Sequence, residues 1–218
     1  MCPDHLRDCP CFNWDYKNFD KKGVESKVRR ESKVLWAKVK NKNVNLPDSI
    51  CDTRPIHKRM FAGLTAKGCD YFAGNYRGSR DCLIDYNLQS PPGTASAADV
   101  NCKMAALSQE IAADWKCLEE LGNEDGIGDA DSLIRWIDVA LERMISFLTI
   151  HPYANGNGHI SRFLVFCYLR AAGIVPESWP IDKRPPGPYA EAIAMYRQGY
   201  VDELRAVVVS AIYGDKLL

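Results

Sequence analysis

A histidine, two glycines and an arginine lie close together in the stretch 151–162, which reads HPYANGNGHISR. Gly156 and Gly158 can adopt positive φ angles or let a ligand approach the backbone closely. A glycine-bearing loop that opens a helix presents free N–H groups and the positive end of the helix dipole, which together bind anions. Arg162 follows about one helical turn after Gly158, so its guanidinium reaches the same anion. Because His151 stands at the start of the loop, the pattern indicates chemistry on phosphate groups.

Two apolar segments flank this stretch and must position it. The first begins at Ser132 and is nearly apolar all round between Met144 and Ile150, as expected for a buried helix. The second, at 163–169, is equally apolar. We therefore predict that the loop joins two buried core helices, which keep a reactive loop rigid.

Further helical patterns occur along the chain at about 25–40, 57–64, 96–121, from 189 onward and at 202–212. We interpret His57 as a packing residue rather than a ligand. Residues 46–49 are interpreted as a loop that carries a helix-capping signal. The turn-rich stretch 73–78 leads into a short extended run at 82–86, and Pro91-Pro92-Gly93 follows, which predicts a β-hairpin. The expected fold class is all-α with one small β-hairpin.

An N-terminal arm, residues 1–25, precedes the expected single domain at 26–218. Cys2, His5, Cys9 and Cys11 could surround a zinc ion, but their spacing matches no paired C-x-x-C arrangement. We interpret the arm as a loosely ordered segment without a metal. The chain has nine cysteines, an odd number scattered over its whole length, which favours reduced thiols over a disulfide framework.

The composition argues against two classes of partner. Lys and Arg number 28 and Asp and Glu number 28, whereas a general nucleic-acid binder carries a basic excess. No window approaches the roughly 18 apolar residues that span a bilayer, and the N-terminus lacks the apolar core of a secretory signal. We expect a cytoplasmic protein that binds neither nucleic acid nor membrane, with a secreted effector as the alternative.

The stretch 151–162 resembles the signature of the Fic family, H-P-F-x-[D/E]-G-N-G-R-x-x-R, and Tyr153 is a near-equivalent of the aromatic residue. The resemblance extends from about Ile56 to the C-terminal helix, and Gly74-Asn75-Tyr76-Arg77 is similar to the G-x-Y-R stretch that opens the family's flap. It implies a Fic-like helical bundle with a flap at about 74–94 beside the signature loop. The identical signature positions are His151, Pro152, Gly156, Asn157, Gly158 and Arg162.

The resemblance implies transfer of AMP, or of another nucleoside monophosphate, from ATP or another nucleoside triphosphate to a Ser, Thr or Tyr hydroxyl of a target protein. His151 is then the general base that removes the hydroxyl proton. The N–H groups at 156–158, the Asn157 side chain and Arg162 stabilise the charge on the phosphate oxygens. The flap aligns an extended target segment by strand addition, and its docking residues are Tyr76, Arg77, Cys82, Leu83 and Ile84.

Two positions depart from the signature. Asn155 replaces the acid that binds magnesium in the family, so we expect Mg²⁺ to bind weakly through its amide oxygen. His159 replaces the first arginine and would be a weaker, pH-dependent phosphate ligand. A Fic-fold relative with another donor, such as a phosphotransferase or a phosphocholine transferase, and a nucleotide-binding module without turnover both stay open. The family's inhibitory motif, [S/T]-x-x-x-E-[G/N], is missing from the sequence, which leaves room for a separate inhibitor protein.

Overall fold

The computed structural model describes residues 14–20, 26–88, 93–121 and 129–214. These ranges contain α-helices, turns and short 3-10 helices, and none of them contains a β-strand. The all-α prediction is thus confirmed for the described part of the chain. The α-helices are α1 (Lys27–Lys40), α2 (Leu46–Cys51), α3 (Arg54–Phe61), α4 (Ala97–Leu121), α5 (Ala130–Ile150), α6 (Asn157–Ala171), α7 (Tyr189–Tyr196) and α8 (Asp202–Tyr213).

Helix α6 is the centre of the fold, and α5 packs along it. Every residue from Asn157 to Leu169 is buried except Gly158, because the segment is apolar on nearly all sides and other helices cover each of them. Trp36 of α1 stacks on Phe166 with 5.6 Å between ring centroids. On the α5 side, the Trp136 indole N–H donates to the carbonyl of Tyr168 at 2.7 Å. The loop between α5 and α6 is therefore anchored at both ends in the core.

Capping side chains explain where the flanking helices begin. Asp129 caps α5 by accepting a hydrogen bond from the Ser132 N–H at 2.8 Å, so the helix starts two residues before the predicted Ser132. Asn45 likewise accepts from the Asp48 N–H and starts α2, which replaces the loop predicted at 46–49. Pro47 fits into the first turn of α2 because a proline there lacks only an N–H that would have no partner in the helix.

The segment 74–88 differs from the sequence prediction. A 3-10 helix, Asp81–Leu83, replaces the extended run predicted at 82–86. Cys82 and Leu83 are both buried, whereas neighbouring residues of a strand would point to opposite faces. Gly78 closes the turn with an N–H to Leu83 at 2.6 Å. No strand occurs in the described part of the flap, and residues 89–92 of the predicted hairpin lie outside it.

The cysteines require a correction as well. Cys69 and Cys82 are disulfide-bonded, so the interpretation of reduced thiols fails at these two positions. Four described cysteines are free thiols, namely Cys51, Cys102, Cys117 and Cys167. Most of the predicted arm at 1–25, including the four candidate zinc ligands, lies outside the described residues.

Among the described residues, no helix has both the length and the hydropathy needed to cross a membrane.

Candidate functional site

His151 lies at the C-terminal end of α5 in the left-handed backbone region, with φ 51° and ψ 60°. Its N–H still donates to the Phe147 carbonyl at 2.8 Å, so the chain leaves the helix in a single residue. The ring Nδ1 lies 3.3 Å from the Leu148 carbonyl oxygen. Because a carbonyl can only accept, Nδ1 carries the proton and Nε2 keeps a lone pair. The lone pair is the group that a general base requires.

The charge state of His151 suits this role. Burial lowers the pKa of His151 to about 4, and the nearby cations Arg77 and Arg197 act in the same direction. The hydrogen bond to the Leu148 carbonyl acts in the opposite direction. The imidazole is therefore neutral at pH 7. An anion bound nearby would favour the imidazolium and strengthen the base at the moment when it is needed.

Arg77 fixes the backbone on which His151 depends. Its guanidinium is fully buried and donates to four carbonyl oxygens, those of Ile150 and His151 at the end of α5 and those of Tyr86 and Ala95 beside it. The distances range from 2.9 to 3.1 Å. Burial lowers the pKa of Arg77 to about 10, so the side chain stays charged at neutral pH and complements the negative end of the α5 dipole. Arg77 is a structural residue and does not face a target.

Asn157 closes the loop. Its side-chain oxygen accepts from the Tyr153 N–H at 2.9 Å, and its amide nitrogen donates to the Tyr153 carbonyl at 2.8 Å. The sequence predicts that this amide donates to a phosphate. In the structure both polar atoms of the side chain bind the loop itself, and the residue is 2 % exposed. Asn157 therefore shapes the site and its side chain is already engaged.

His57 joins the loop to the segment that begins at Gly74. Its Nδ1 accepts from the Gly74 N–H at 2.9 Å, so the opposite nitrogen, Nε2, carries the proton and donates to the Asn155 carbonyl at 2.9 Å. The ring stacks on Tyr153 with 3.7 Å between centroids. Both nitrogens are engaged in a fully buried place, which agrees with the interpretation of His57 as a packing residue.

Acid should weaken the fold through this buried histidine and through His159. Burial lowers the pKa of His57 to about 3 and that of His159 to about 4, whereas both titrate near 6.5 in the unfolded chain. Because the pKa values are lower in the folded state, the stability that the two neutral histidines contribute is fully present above pH 6.5. It is lost as the pH falls towards 3. We expect the free energy of unfolding to fall by about 2 kcal/mol per histidine between pH 7 and pH 5. Urea unfolding at both pH values measures it, and an unchanged midpoint would contradict it.

The N-terminus of α6 is the candidate anion cradle. Gly156 precedes the helix with φ 82°, and a side chain there would collide with Phe61, whose ring carbon lies 2.5 Å from the position of a Cβ. Among the described residues, no acceptor binds the N–H groups of Asn157 and Gly158. These two N–H groups and the dipole of a 15-residue helix favour an anion at this point.

Arg162 provides the positive charge of the cradle. A Cβ on Gly158 would lie 3.2 Å from Arg162 Nη1, so the guanidinium lies over the first turn of α6. Arg162 is 4 % exposed, and its Nε has no hydrogen-bond partner among the described residues. Burial lowers the pKa of Arg162, which means that the neighbouring groups do not fully offset the loss of hydration of the charged guanidinium. A buried donor without an acceptor at the end of a helix is suited to an incoming oxyanion.

His159 does not add a second cation. Its Nδ1 lies 2.9 Å from the Ile181 carbonyl, and its Nε2 lies 2.8 Å from the Tyr16 hydroxyl. Arg162 Nη2 lies 3.3 Å from the same Nδ1 and donates to the same Ile181 carbonyl at 3.0 Å, so the neutral ring can hydrogen-bond to Tyr16 in either tautomer. Burial lowers the pKa of His159 to about 4, with a further contribution from Arg162. At neutral pH this imidazole is therefore uncharged, and both its nitrogens are bound within the protein.

Asn155 is also engaged on both sides. Its Nδ2 donates to the Trp14 carbonyl at 3.0 Å, and its Oδ1 accepts from the Gly156 N–H at 2.6 Å. The oxygen expected to bind magnesium thus already has a hydrogen-bond donor. Among the described residues, no group of three or more His, Cys, Asp or Glu side chains is arranged to bind a metal ion.

Four of the five predicted docking residues are buried. Tyr76, Arg77, Cys82 and Leu83 are at most 7 % exposed and attach the segment to the core. Ile84 differs, because 53 % of its surface is exposed. Of the five predicted docking side chains, Ile84 is therefore the one that can meet a partner.

The chemical part of the site is assembled from three regions of the chain. Residues 151–162 supply the candidate base and the candidate anion cradle, Arg77 supports them, and the segment 14–18 contacts Asn155 and His159. No protein-family model matches the sequence, and no curated protein matches it either. The resemblance to the Fic family therefore stays a prediction from the sequence.

Sequence reasoning misses the contribution of the segment 14–18. Trp14 and Tyr16 contact Asn155 and His159 across more than 140 positions of sequence. One signal was present, since the arm carries four aromatic residues within eight positions, at 12, 14, 16 and 19. Aromatic side chains in that density favour a docked segment over a solvated one. Arg197, which lowers the pKa of His151, follows α7 and has no such signal in the sequence.

Proposed function

We propose that the protein transfers a nucleoside monophosphate, with AMP as the first candidate, from a nucleoside triphosphate to a hydroxyl side chain of a target protein. One observation supports this above all others. A neutral histidine with a free Nε2 and an anion cradle with a buried, incompletely paired Arg162 lie at the two ends of one loop. A base and an oxyanion site in that arrangement suit the attack of a hydroxyl on phosphorus.

In the proposed step the target hydroxyl oxygen attacks the α-phosphorus of the donor. An O–P bond forms, the bond from that phosphorus to the bridging oxygen breaks, and pyrophosphate leaves. His151 Nε2 takes the hydroxyl proton. The N–H groups of Asn157 and Gly158 together with Arg162 stabilise the charge that develops on the phosphate oxygens.

The segment 74–88 provides a docking place for the target. Ile84 is exposed there and lies beside a backbone that Arg77 ties to the end of α5. A target side chain that packs on Ile84 would bring the neighbouring hydroxyl towards His151. Docking then depends on an apolar contact at a turn, with strand addition to a flap as the alternative mode.

A second donor class has a specific observation in its favour. Asn155 and His159, the two positions that depart from the Fic signature, are engaged by other groups of the protein. A donor with a pyrophosphate bond but a different leaving group, such as a phosphocholine donor, meets the same base and the same arginine. Phosphoryl transfer from a triphosphate uses these groups as well.

The disulfide bonds at Cys69 and Cys82 bear on where this reaction occurs. Structural disulfides persist in oxidising compartments and are rare in the cytosol of mesophiles. They favour the alternative location, a secreted effector, over the cytoplasm.

The deciding experiment measures label transfer to protein. Wild-type protein is incubated with target-cell extract and with ATP, GTP, CTP or UTP labelled at the α-phosphate, and in parallel with γ-labelled ATP or choline-labelled CDP-choline. Transfer of the α-label supports the proposal, transfer of the γ-label or of choline supports the second class, and nucleotide binding without any transfer indicates a binding module.

Arg162→Met tests the cradle in the same assay. The substitution keeps most of the side-chain volume and removes the charge, so we expect transfer to fall by about 100-fold. Arg170→Met on the same helix is the matched control, because Arg170 donates to the Lys40 carbonyl far from the loop. Equal transfer by Arg162→Met and wild type would refute the role of Arg162.

A further inference from the structure

The two positions that depart from the signature contact the same segment. Asn155 donates to the carbonyl of Trp14, and His159 Nε2 is hydrogen-bonded to the hydroxyl of Tyr16. Both partners belong to the segment 14–18, whose 3-10 helix is Tyr16–Asn18. An acid at 155 would face the Trp14 carbonyl without a proton to donate. The side chains at 155 and 159 are therefore complementary to the residues of the segment 14–18.

The segment is fixed to the core. Trp14 is 5 % exposed, and its indole N–H donates to the Leu64 carbonyl at 2.7 Å. Its ring makes edge contacts with Phe61 and Phe72 at 6.1 and 5.6 Å between centroids. Burial of a tryptophan with a satisfied indole N–H is strongly stabilising. The contacts at Asn155 and His159 thus form one wall of the candidate site.

The orientation of the Asn155 amide follows from its neighbours. One polar atom faces a backbone N–H, that of Gly156, and the other faces a carbonyl, that of Trp14. A flipped amide would place its nitrogen against the N–H and its oxygen against the carbonyl, and both contacts would be repulsive. The oxygen is therefore held on the Gly156 N–H. A divalent cation, which needs several oxygen ligands, finds no carboxylate at this position.

The groups that are left to bind the phosphates of a nucleotide are the N-terminus of α6 and Arg162. Within the described part of the chain, the donors there without an acceptor are the N–H groups of Asn157 and Gly158 and the buried Arg162 Nε. These groups recognise phosphate oxygens directly and do not need a metal ion between protein and ligand. His159, whose pKa is lowered to about 4 by burial and by Arg162, adds no cation for a further phosphate.

We propose that the site binds the phosphate groups of its nucleotide donor as the metal-free anion, because Asn155 is engaged by Trp14 and the Gly156 N–H, and His159 by Tyr16 and the Ile181 carbonyl. This inference rests on the proposed function and names the form of its donor. It replaces the weak magnesium site predicted at Asn155.

Calorimetric titration tests the inference without turnover. ATP and ADP are titrated into the 218-residue protein in excess EDTA and again in excess magnesium. We expect each Kd in EDTA to lie within about threefold of its value in magnesium, or below it. Magnesium bound to the nucleotide neutralises negative phosphate charge that would otherwise attract Arg162. Binding that is tenfold or more tighter with magnesium overturns the inference and leaves the proposed function standing. Absence of binding for both nucleotides under both conditions overturns the proposed function and this inference with it.

Asn155→Asp provides an independent test. The carboxylate loses the donor to Trp14 and adds negative charge beside the cradle, so binding in EDTA should weaken by at least tenfold. Magnesium should restore much of it, because a carboxylate is a ligand that this ion prefers. Asn43→Asp makes the same change at an exposed turn after α1 and should bind as wild type does. Wild-type affinity of Asn155→Asp in EDTA, with an unchanged thermal midpoint, overturns the inference.

Discussion

Arg77→Leu is expected to lower the free energy of unfolding by about 4 kcal/mol, the largest loss that a single substitution outside the apolar core should produce. The guanidinium donates to four backbone carbonyls in a place without solvent access, and leucine leaves all four without a donor. An unsatisfied buried carbonyl costs about 1 to 3 kcal/mol, and relaxation of the neighbouring loops recovers part of the sum. Urea unfolding followed by circular dichroism measures the loss.

Two further variants separate the geometry of Arg77 from its charge. Arg77→Lys keeps the positive charge but not the planar fork, so it should recover less than half of the stability lost in the leucine variant. Arg135→Leu makes the same change on the exposed face of α5 and should stay within about 0.5 kcal/mol of wild type. An Arg77→Leu protein that unfolds at the wild-type urea concentration would contradict the role assigned to these hydrogen bonds.

His151→Asn is expected to reduce label transfer by about 1,000-fold while nucleotide affinity stays within about threefold of wild type. Asparagine is chosen because the backbone at 151 has φ 51°, a conformation that asparagine tolerates better than alanine does. The variant therefore removes the base without adding much backbone strain. Transfer rates from α-labelled donor and a calorimetric Kd are measured on the same preparation.

His151→Ala serves as the comparison for this variant. It should lose as much transfer as His151→Asn but also about 1 kcal/mol of stability, because alanine in the left-handed region is strained. Transfer by His151→Asn within tenfold of the wild-type rate would remove His151 from the role of general base. A rate loss with a parallel loss of nucleotide binding would instead indicate damage to the loop.

The long helices could be predicted from the sequence because their pattern is local. α4 begins one residue and α5 two residues from the predicted starts, since apolar periodicity and capping side chains act within a few positions. The start of α3 was harder to predict. The helix begins at Arg54, three residues before the predicted 57, because Pro55 lies in the first turn, where a proline is tolerated.

The candidate site could be predicted only within its own loop. His151, Gly158 and Arg162 share a short stretch, so spacing alone places them near the start of α6. Contacts across the chain carry no such signal. Nothing in the spacing shows that Tyr16 binds His159, or that the Asn157 amide binds Tyr153 rather than a ligand. Such contacts depend on how distant segments pack, which local propensity does not determine.

The two hydrogen bonds between the Asn157 side chain and the Tyr153 backbone have a kinetic consequence. They complete the bend of the loop before any ligand arrives, so the binding-competent conformation is the ground state. A protein that must first populate a rare conformation binds with an affinity reduced by the fraction of molecules in that state. For the proposed donor we expect that fraction to be close to one. We then expect the association rate of the donor to be set by diffusion and by the attraction of Arg162, with no slow opening or closing step in the loop.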